Sequence, residues 1–255
     1  FGVALFQMDG GSYLNNRCDN LVIENGGRGP RHFAIYVDID RRQSGGSLGR
    51  IEGLAFRDID IRSGGNVLIS GQPEQPIRDL VIDGLRWTTP ETVEVITPER
   101  RKPRGNTLVP LTGETEDHAG VASMFTIANT ERLSLQGLNI ALTDPTADRS
   151  FITLIRVSDA DLAGLDLRSA AAQPSPAISL QEAANVTIRN IPPPINVTTF
   201  LAVDESQQGR LSVLGADLGA VPTPFAVGGN VCLSAQGVMV ARNARRLLAR
   251  LQCRQ

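Results

Sequence analysis

Aromatic side chains make up only 4% of this 255-residue chain, and it contains a single tryptophan. A core assembled from large aromatic rings is therefore excluded, and aliphatic residues must fill the interior. The three cysteines, Cys18, Cys232 and Cys253, show neither a CxxC pair nor any metal-ligand spacing. No cofactor or metal is expected on that count. A Cys232–Cys253 bridge and free or buried thiols both remain open. His32 and His118 are the only histidines, and the formal net charge is −2. So balanced a chain gives no bulk electrostatic reason to bind nucleic acid. No run of about 18 apolar residues exists, so no membrane helix is expected. A signal peptide is also missing, and the chain opens on Phe1 directly ahead of the strand-like run Val3–Phe6. The expectation is that it begins inside a longer product.

Glycine and proline are plentiful, at 25 and 15 residues, which suits short strands joined by turns. The strongest signal is a repeated phrase. It reads Leu54-Ala-Phe56-Arg-Asp58-Ile59-Asp-Ile61, then Leu80-Val-Ile82-Asp-Gly84-Leu85-Arg-Trp87. It returns from Leu133 to Ile140 through Gly137 and from Ala160 to Leu167 through Gly164, with weaker copies starting at Val186 and Leu211. The starts step by 26, 53, 27, 26 and 25 residues, and the 53 is close to two units. A fixed period in this range means stacked units that share one core. Each unit alternates with period two, the strand signature, and then breaks at a small or polar residue where the phase shifts. Asp58, Gly84, Gly137, Gly164 and Asn190 occupy that break, and such residues tolerate a left-handed bend.

The expected fold is all-β, a right-handed parallel β-helix with about three short strands per coil. A leucine-rich repeat would need an LxxLxLxxN frame, and a propeller would need longer antiparallel blades. Residues 1–240 form the rungs in this reading. Thr88 to Val121, with four prolines and the basic run Arg100-Arg-Lys-Pro-Arg104, reads as one rung enlarged by a loop. At 241–255 we expect a C-terminal capping helix and tail, because from Val240 to Leu251 the residues Ala244, Leu247, Leu248 and Leu251 fall on one helical face and four arginines on the other. Such a helix would cover the open end of the solenoid.

Several phrases resemble a known family. The segment Gly2–Gly11 with its Met8-Asp9-Gly10-Gly11, followed by Asn20–Asn25, is similar to the downstream half of bacterial polygalacturonase-like proteins, glycoside hydrolase family 28. Ala34–Arg42, Gly65–Ile77, and Met124–Leu142 with Asp148-Arg149 beyond it continue the resemblance, which covers most of residues 2–190. It implies inverting hydrolysis of galacturonan or rhamnogalacturonan by two carboxyl groups about 6.5–9.5 Å apart. The family's Asn-Thr-Asp, Asp-Asp, Gly-His-Gly and Arg-Ile-Lys motifs are all missing here. The resemblance therefore places the catalytic carboxylates upstream of residue 1 and gives this chain no catalytic residue. It further implies an acidic polysaccharide as the partner, a monomer without nucleic acid or membrane, and a secreted or periplasmic location. The alternatives are a non-catalytic β-helix for polysaccharide binding or adhesion, and a lyase, which would need an acidic calcium cluster that the sequence does not display.

The candidate substrate-binding residues are Asp9, Arg31, His32 and Arg41. Asp9 precedes two glycines that permit close ligand approach, though a corner turn would use the same residues. The basic residues Arg31-His32 and Arg41-Arg42 flank the strand Ala34–Asp40, and a guanidinium suits a uronate carboxylate. Asp38 and Asp40 share one face of that strand by period two. The ordinary expectation for them is a solvated face flanked by arginines. Glu74 reads as part of a proline-bounded turn. Asn185-Val-Thr and Asn196-Val-Thr match the glycosylation acceptor pattern.

Overall fold

Small residues at the phase breaks and aliphatics between them predict strands that turn corners, and the computed structural model shows such strands throughout. It describes residues 1–8, 10–26, 32–40, 46–89, 92, 120–206, 208–228, 231 and 233–241. The described chain is all-β with no helix. The first layer holds β1 (Val3–Met8), β2 (Ser12–Leu14) and β3 (Arg17–Asn25), and the second holds β4 (Phe33–Asp40), β5 (Arg50–Glu52) and β6 (Ala55–Ser63). Then come β7 (Asn66–Ser70) with β8 (Ile77–Thr89), β9 (Ser123–Gln136) with β10 (Asn139–Leu142), and β11 (Ser150–Ala163) with β12 (Asp166–Gln173). The last layers are β13 (Ile178–Gln181), β14 (Ala184–Ile191) and β15 (Ile195–Val197), then β16 (Thr199–Val203) and β17 (Gln208–Leu218), then β18 (Thr223–Val227), β19 (Leu233–Gln236) and β20 (Met239–Val240). All these strands belong to one strongly curled sheet whose named strands pair in parallel, an arrangement compatible with a β-helix.

The pairing register reproduces the sequence period from Phe56 to Val213, with a longer first step from Cys18 and a shorter last one to Ala235. Cys18 pairs with Phe56, Phe56 with Ile82, Ile82 with Leu135, Leu135 with Leu162, Leu162 with Ile188, Ile188 with Val213, and Val213 with Ala235. Leu80 lies directly against Leu133. The 53-residue step is therefore one layer enlarged between its strands, not two units. Phe56, Ile82, Leu135, Leu162, Ile188 and Val213 form an inward column with no solvent exposure. Burying each of these side chains contributes roughly 1.5–3 kcal/mol before the entropy of ordering is counted. On the opposite side of the core, Ile35, Val67, Phe125, Ile152, Ile178 and Leu201 line the interior from β4, β7, β9, β11, β13 and β16.

The corners explain the punctuation of the repeat. Asn20, Asp58, Gly84, Gly137, Gly164, Asn190, Gly215 and Gly237 all hold positive φ, between 53° and 69°. Pairing register stacks them into one column. This is the left-handed region that Gly, Asn and Asp enter most readily. Replacing Gly164 (φ 62°) by Val should cost about 1–3 kcal/mol, whereas Gly164→Asn should cost less than half as much. Urea melts of the two variants check this, and equal losses would contradict the corner assignment.

Two further columns are polar where the sequence offers no small-residue signal. Asp79, Arg132, Asp159 and Asn185 stack with φ near +55°, as do Asn129, Arg156 and Glu182 with φ near +50°. Their side chains bond between layers. Arg132 donates from Nε and Nη2 to both Asp79 oxygens at 2.6 and 2.7 Å, and Arg156 Nε donates to Asn129 Oδ1 at 2.7 Å. Asn185 Nδ2 donates to Asp159 Oδ1 at 3.0 Å, and Asn196 Nδ2 donates to the Ser169 carbonyl at 2.8 Å. Both acceptor-pattern asparagines thus spend their amide nitrogen on inter-layer bonds. Gln72 and Gln75 bond to each other's backbone across Pro73 and Glu74, the tight turn expected there.

Thr88 and Thr89 finish β8, while residues 90, 91 and 93–119 of the enlarged rung lie outside the described residues. So do Cys232, Cys253 and residues 242–255, which carry most of the expected capping helix. Val240, where that helical pattern was read to begin, instead ends strand β20. Cys18 is a free, half-buried thiol in β3 whose pKa is pushed up by burial.

Candidate functional site

Strand β4 is buried on both faces, as is β7 beside it over Val67–Ser70. Ile35, Val37 and Ile39 enter the main core. On the opposite face Tyr36, together with Phe33, Leu68 and Phe6, builds a second, smaller apolar cluster. The rings of Phe33 and Tyr36 sit 5.2 Å apart, with Phe1 at 5.3 Å and Phe6 at 5.9 Å from Tyr36. Next on this face is Asp38, only 1% exposed. Its register partners are Phe6 on β1 and Ser70 on β7. The Ser70 hydroxyl donates to the Gly71 carbonyl, so it offers Asp38 no proton.

Tyr36 Oη donates to Asp38 Oδ2 at 2.6 Å, and Asp38 Oδ1 is enclosed without a partner. Burial pushes the carboxyl up to about 8; the Tyr36 hydrogen bond opposes this, the nearby Asp40 charge adds to it, and a hydrogen bond from the Ile39 backbone opposes it. At neutral pH Asp38 is therefore mainly the neutral acid, which is how a buried, half-satisfied carboxyl avoids the desolvation of its charge. The expected solvated face is corrected here: Asp38 is sealed, and only Asp40 at the strand end is half-buried. Asp38 holds a proton as a general acid would. Enclosed as it is, it does not make with Asp40 an open acid and base flanking a substrate.

Of the four candidate binding residues, His32 alone is among the described residues. Asp9, Arg31 and Arg41, with Arg42, lie outside the described residues. His32 is half-buried immediately before β4, and its carbonyl accepts the Asn66 amide at 3.1 Å. Asp40 closes the same eight-residue strand, so His32 and Asp40 stand roughly 26 Å apart along it.

Elsewhere the exterior charges are largely consumed by one another. Arg62 pairs with Glu24 and Asp60 at 3.0 and 3.3 Å, Arg78 with Glu131 at 2.8 Å, Arg168 with Asp166 at 2.7 Å and Arg189 with Asp161 at 2.8 Å. Arg17 pairs with Asp19, and Arg50 with Glu52. Among the described residues no group of His, Cys, Asp and Glu could hold a metal ion. No helix among them is long and apolar enough to cross a membrane.

Sequence reasoning missed one residue of a different kind. Arg149 is 6% exposed, the one buried arginine among the described residues. Its Nη1 donates to Asn66 Oδ1 at 3.2 Å, across 83 residues of chain, and its backbone amide donates to Gln173 Oε1 at 3.1 Å. An arginine next to an aspartate in a turn reads as surface, so no pattern in the sequence marks it. No protein-family model, curated protein or solved structure matches the chain.

Proposed function

We propose that this chain is the downstream part of a carbohydrate-active, right-handed parallel β-helix of the polygalacturonase type. Its parent protein hydrolyses a galacturonan or rhamnogalacturonan with inversion, outside the cytoplasm, and the catalytic carboxylates stand upstream of residue 1. The observation that carries the reading is the parallel register, which from Phe56 to Val213 repeats at 25–27 residues except at the enlarged layer between Leu80 and Leu133. Stacked layers of that length give a long, straight wall on which a polymer can lie. The phrases that resemble glycoside hydrolase family 28 fall on the strands and corners of that wall. In the first layer β1 pairs with β4 alone and β3 with β6 alone among the described residues. Val3, Leu5, Tyr13, Cys18 and Leu21 are also only partly buried against the core.

A second reading, a non-catalytic wall for binding acidic polysaccharide, is favoured by one specific observation. Asp38, the one acid whose proton is held up to about pH 8 among the described residues, is sealed from substrate. Reducing-end release from polygalacturonate and from rhamnogalacturonan separates the two. The whole polypeptide should release reducing ends whose first-formed anomer is inverted, and residues 1–255 alone should release none. Retention of the polymer by the whole polypeptide without reducing ends would replace the hydrolase with the binding wall.

A further inference from the structure

We propose that Arg149 is the centre of a binding site for one small oxyanion group, a carboxylate, sulfate or phosphate, at the corner between β10 and β11. Among the described residues most exposed arginines have a carboxylate partner, while the buried one has none. That is the reverse of the usual arrangement, in which a charge removed from water is paired.

The acceptors that could pair with Arg149 are already in use. Asp144, whose charge acts on Arg149 from a distance, accepts the Thr146 amide and hydroxyl on Oδ1 at 2.9 and 2.7 Å. Its Oδ2 accepts the Thr92 amide and hydroxyl at 3.3 and 3.4 Å. Asp148 accepts the Ser175 amide at 2.9 Å. The oxygen of the Gln173 side chain takes the Arg149 backbone amide, and its nitrogen donates to Ser169 Oγ at 2.8 Å.

What remains is one edge of the guanidinium. With Nη1 given to neutral Asn66, Nε and Nη2 form the fork that receives a carboxylate, sulfate or phosphate through two parallel hydrogen bonds. Neither nitrogen is among the sealed, unpartnered polar atoms of the interior, which do include the hydroxyl of Thr89 one layer earlier on the same corner. The near-complete burial of Arg149 limits the occupant to a single anionic group. A bound anion would neutralise the guanidinium and clamp the corners of β7 and β11 together through Asn66.

The test is thermal denaturation of the full 255-residue chain at pH 7 with sodium sulfate or sodium acetate replacing sodium chloride at constant ionic strength. The expected result is a saturable rise in Tm of about 5 °C at a hundredfold excess over Kd. Arg149→Lys should weaken binding by about tenfold or more, because it keeps the charge and loses the fork. Asn66→Asp places a carboxylate beside the guanidinium; it should fold at least as stably and lose the anion response. Galacturonate against galactose then separates a sugar-borne carboxylate from a free ion. If sulfate, acetate and chloride shift Tm alike, or if Asn66→Asp responds as the parent does, the site does not exist.

Discussion

Raising the pH from 4 to 8 should remove several kcal/mol of folding stability, and Asp38→Asn should abolish most of that loss. The sign follows from the sealed position of Asp38. Its folded-state pKa is raised to about 8 by burial, against an ordinary value of 3.8. Below the ordinary value both folded and unfolded chains hold the proton, and the contribution is fully present. Between the two values only the folded chain still holds it. Unfolding then releases a proton, and stability falls by about 1.4 kcal/mol per pH unit at most. Above about pH 8 the loss levels off. The whole window corresponds to a ceiling of about 6 kcal/mol; local relaxation around a buried charge brings the observable loss to about 2–4 kcal/mol.

The groups that act on Asp38 are Tyr36 and the Ile39 backbone, which favour its ionised form, and Asp40, which disfavours it. Asn at position 38 mimics the neutral acid: its carbonyl can accept from Tyr36 Oη, and it cannot ionise. Above pH 8 the variant should therefore be more stable than the parent. Asp79 and Asp144, whose pKa values are lowered by hydrogen bonds from Arg132 and from Thr146, act in the opposite sense. Their contributions are present above the ordinary carboxylate range and fade as pH falls through their lowered values. Urea denaturation at half-unit pH intervals reads all of this. Parallel pH profiles for parent and Asp38→Asn would mean that Asp38 is not held neutral.

Trp87→Ala should lower stability by about 3–5 kcal/mol. Trp87 is the largest fully buried side chain, in register with Ile61 on one side and Ile140 on the other. Its ring meets the edge of Phe125 at 5.5 Å with 72° between planes, and its Nε1 donates to the Ser63 carbonyl at 3.0 Å. The substitution removes three contributions together: buried aromatic area, an edge-to-face contact, and the donor to an enclosed carbonyl. Trp87→Phe should keep the packing in part and lose about half as much. A chemical melt of Trp87→Ala that shifts by less than about 1 kcal/mol would contradict the packing described.

How much of this was legible in the sequence differs between the core and the corners. The inward columns were legible because period-two alternation of Leu, Ile and Val has one physical meaning when it recurs at a fixed spacing. The column of Asp58, Gly84, Gly137 and Gly164 was legible because those residues have low backbone penalties in the left-handed region. The second and third corners were not. Arg132, Arg156 and Glu182 occupy the same backbone region at a real steric cost, which their inter-layer stacking must offset, and nothing local distinguishes them from surface charges. The 53-residue step is close to two units by arithmetic, the proline-rich stretch Thr88–Val121 reads as one enlarged rung, and the pairing of Leu80 with Leu133 shows one layer.

Asp38 and Arg149 were illegible for a related reason. An acid on the alternate face of a strand, or an arginine in a turn, looks solvated unless something distant in sequence covers it. Phe1, Phe6 and Leu68 lie around Tyr36 from other strands or the chain start, and Asn66 meets Arg149 from 83 residues away. Burial of this kind is a property of the stack and not of the repeat.

The stacking register is the claim on which the rest depends, and a distance measurement tests it directly. Arg57, Asp83, Gln136, Ala163, Arg189 and Leu214 form one column, each paired with the next and each following a residue of the inward column. Spin labels at positions 57 and 214, with Cys18, Cys232 and Cys253 replaced by Ser, should therefore be separated by five inter-strand spacings. Pulsed electron paramagnetic resonance should give a backbone separation of about 24 Å. A separation near 29 Å would mean that the enlarged segment adds a layer of its own, and a broad distribution beyond about 40 Å would mean that the layers do not stack.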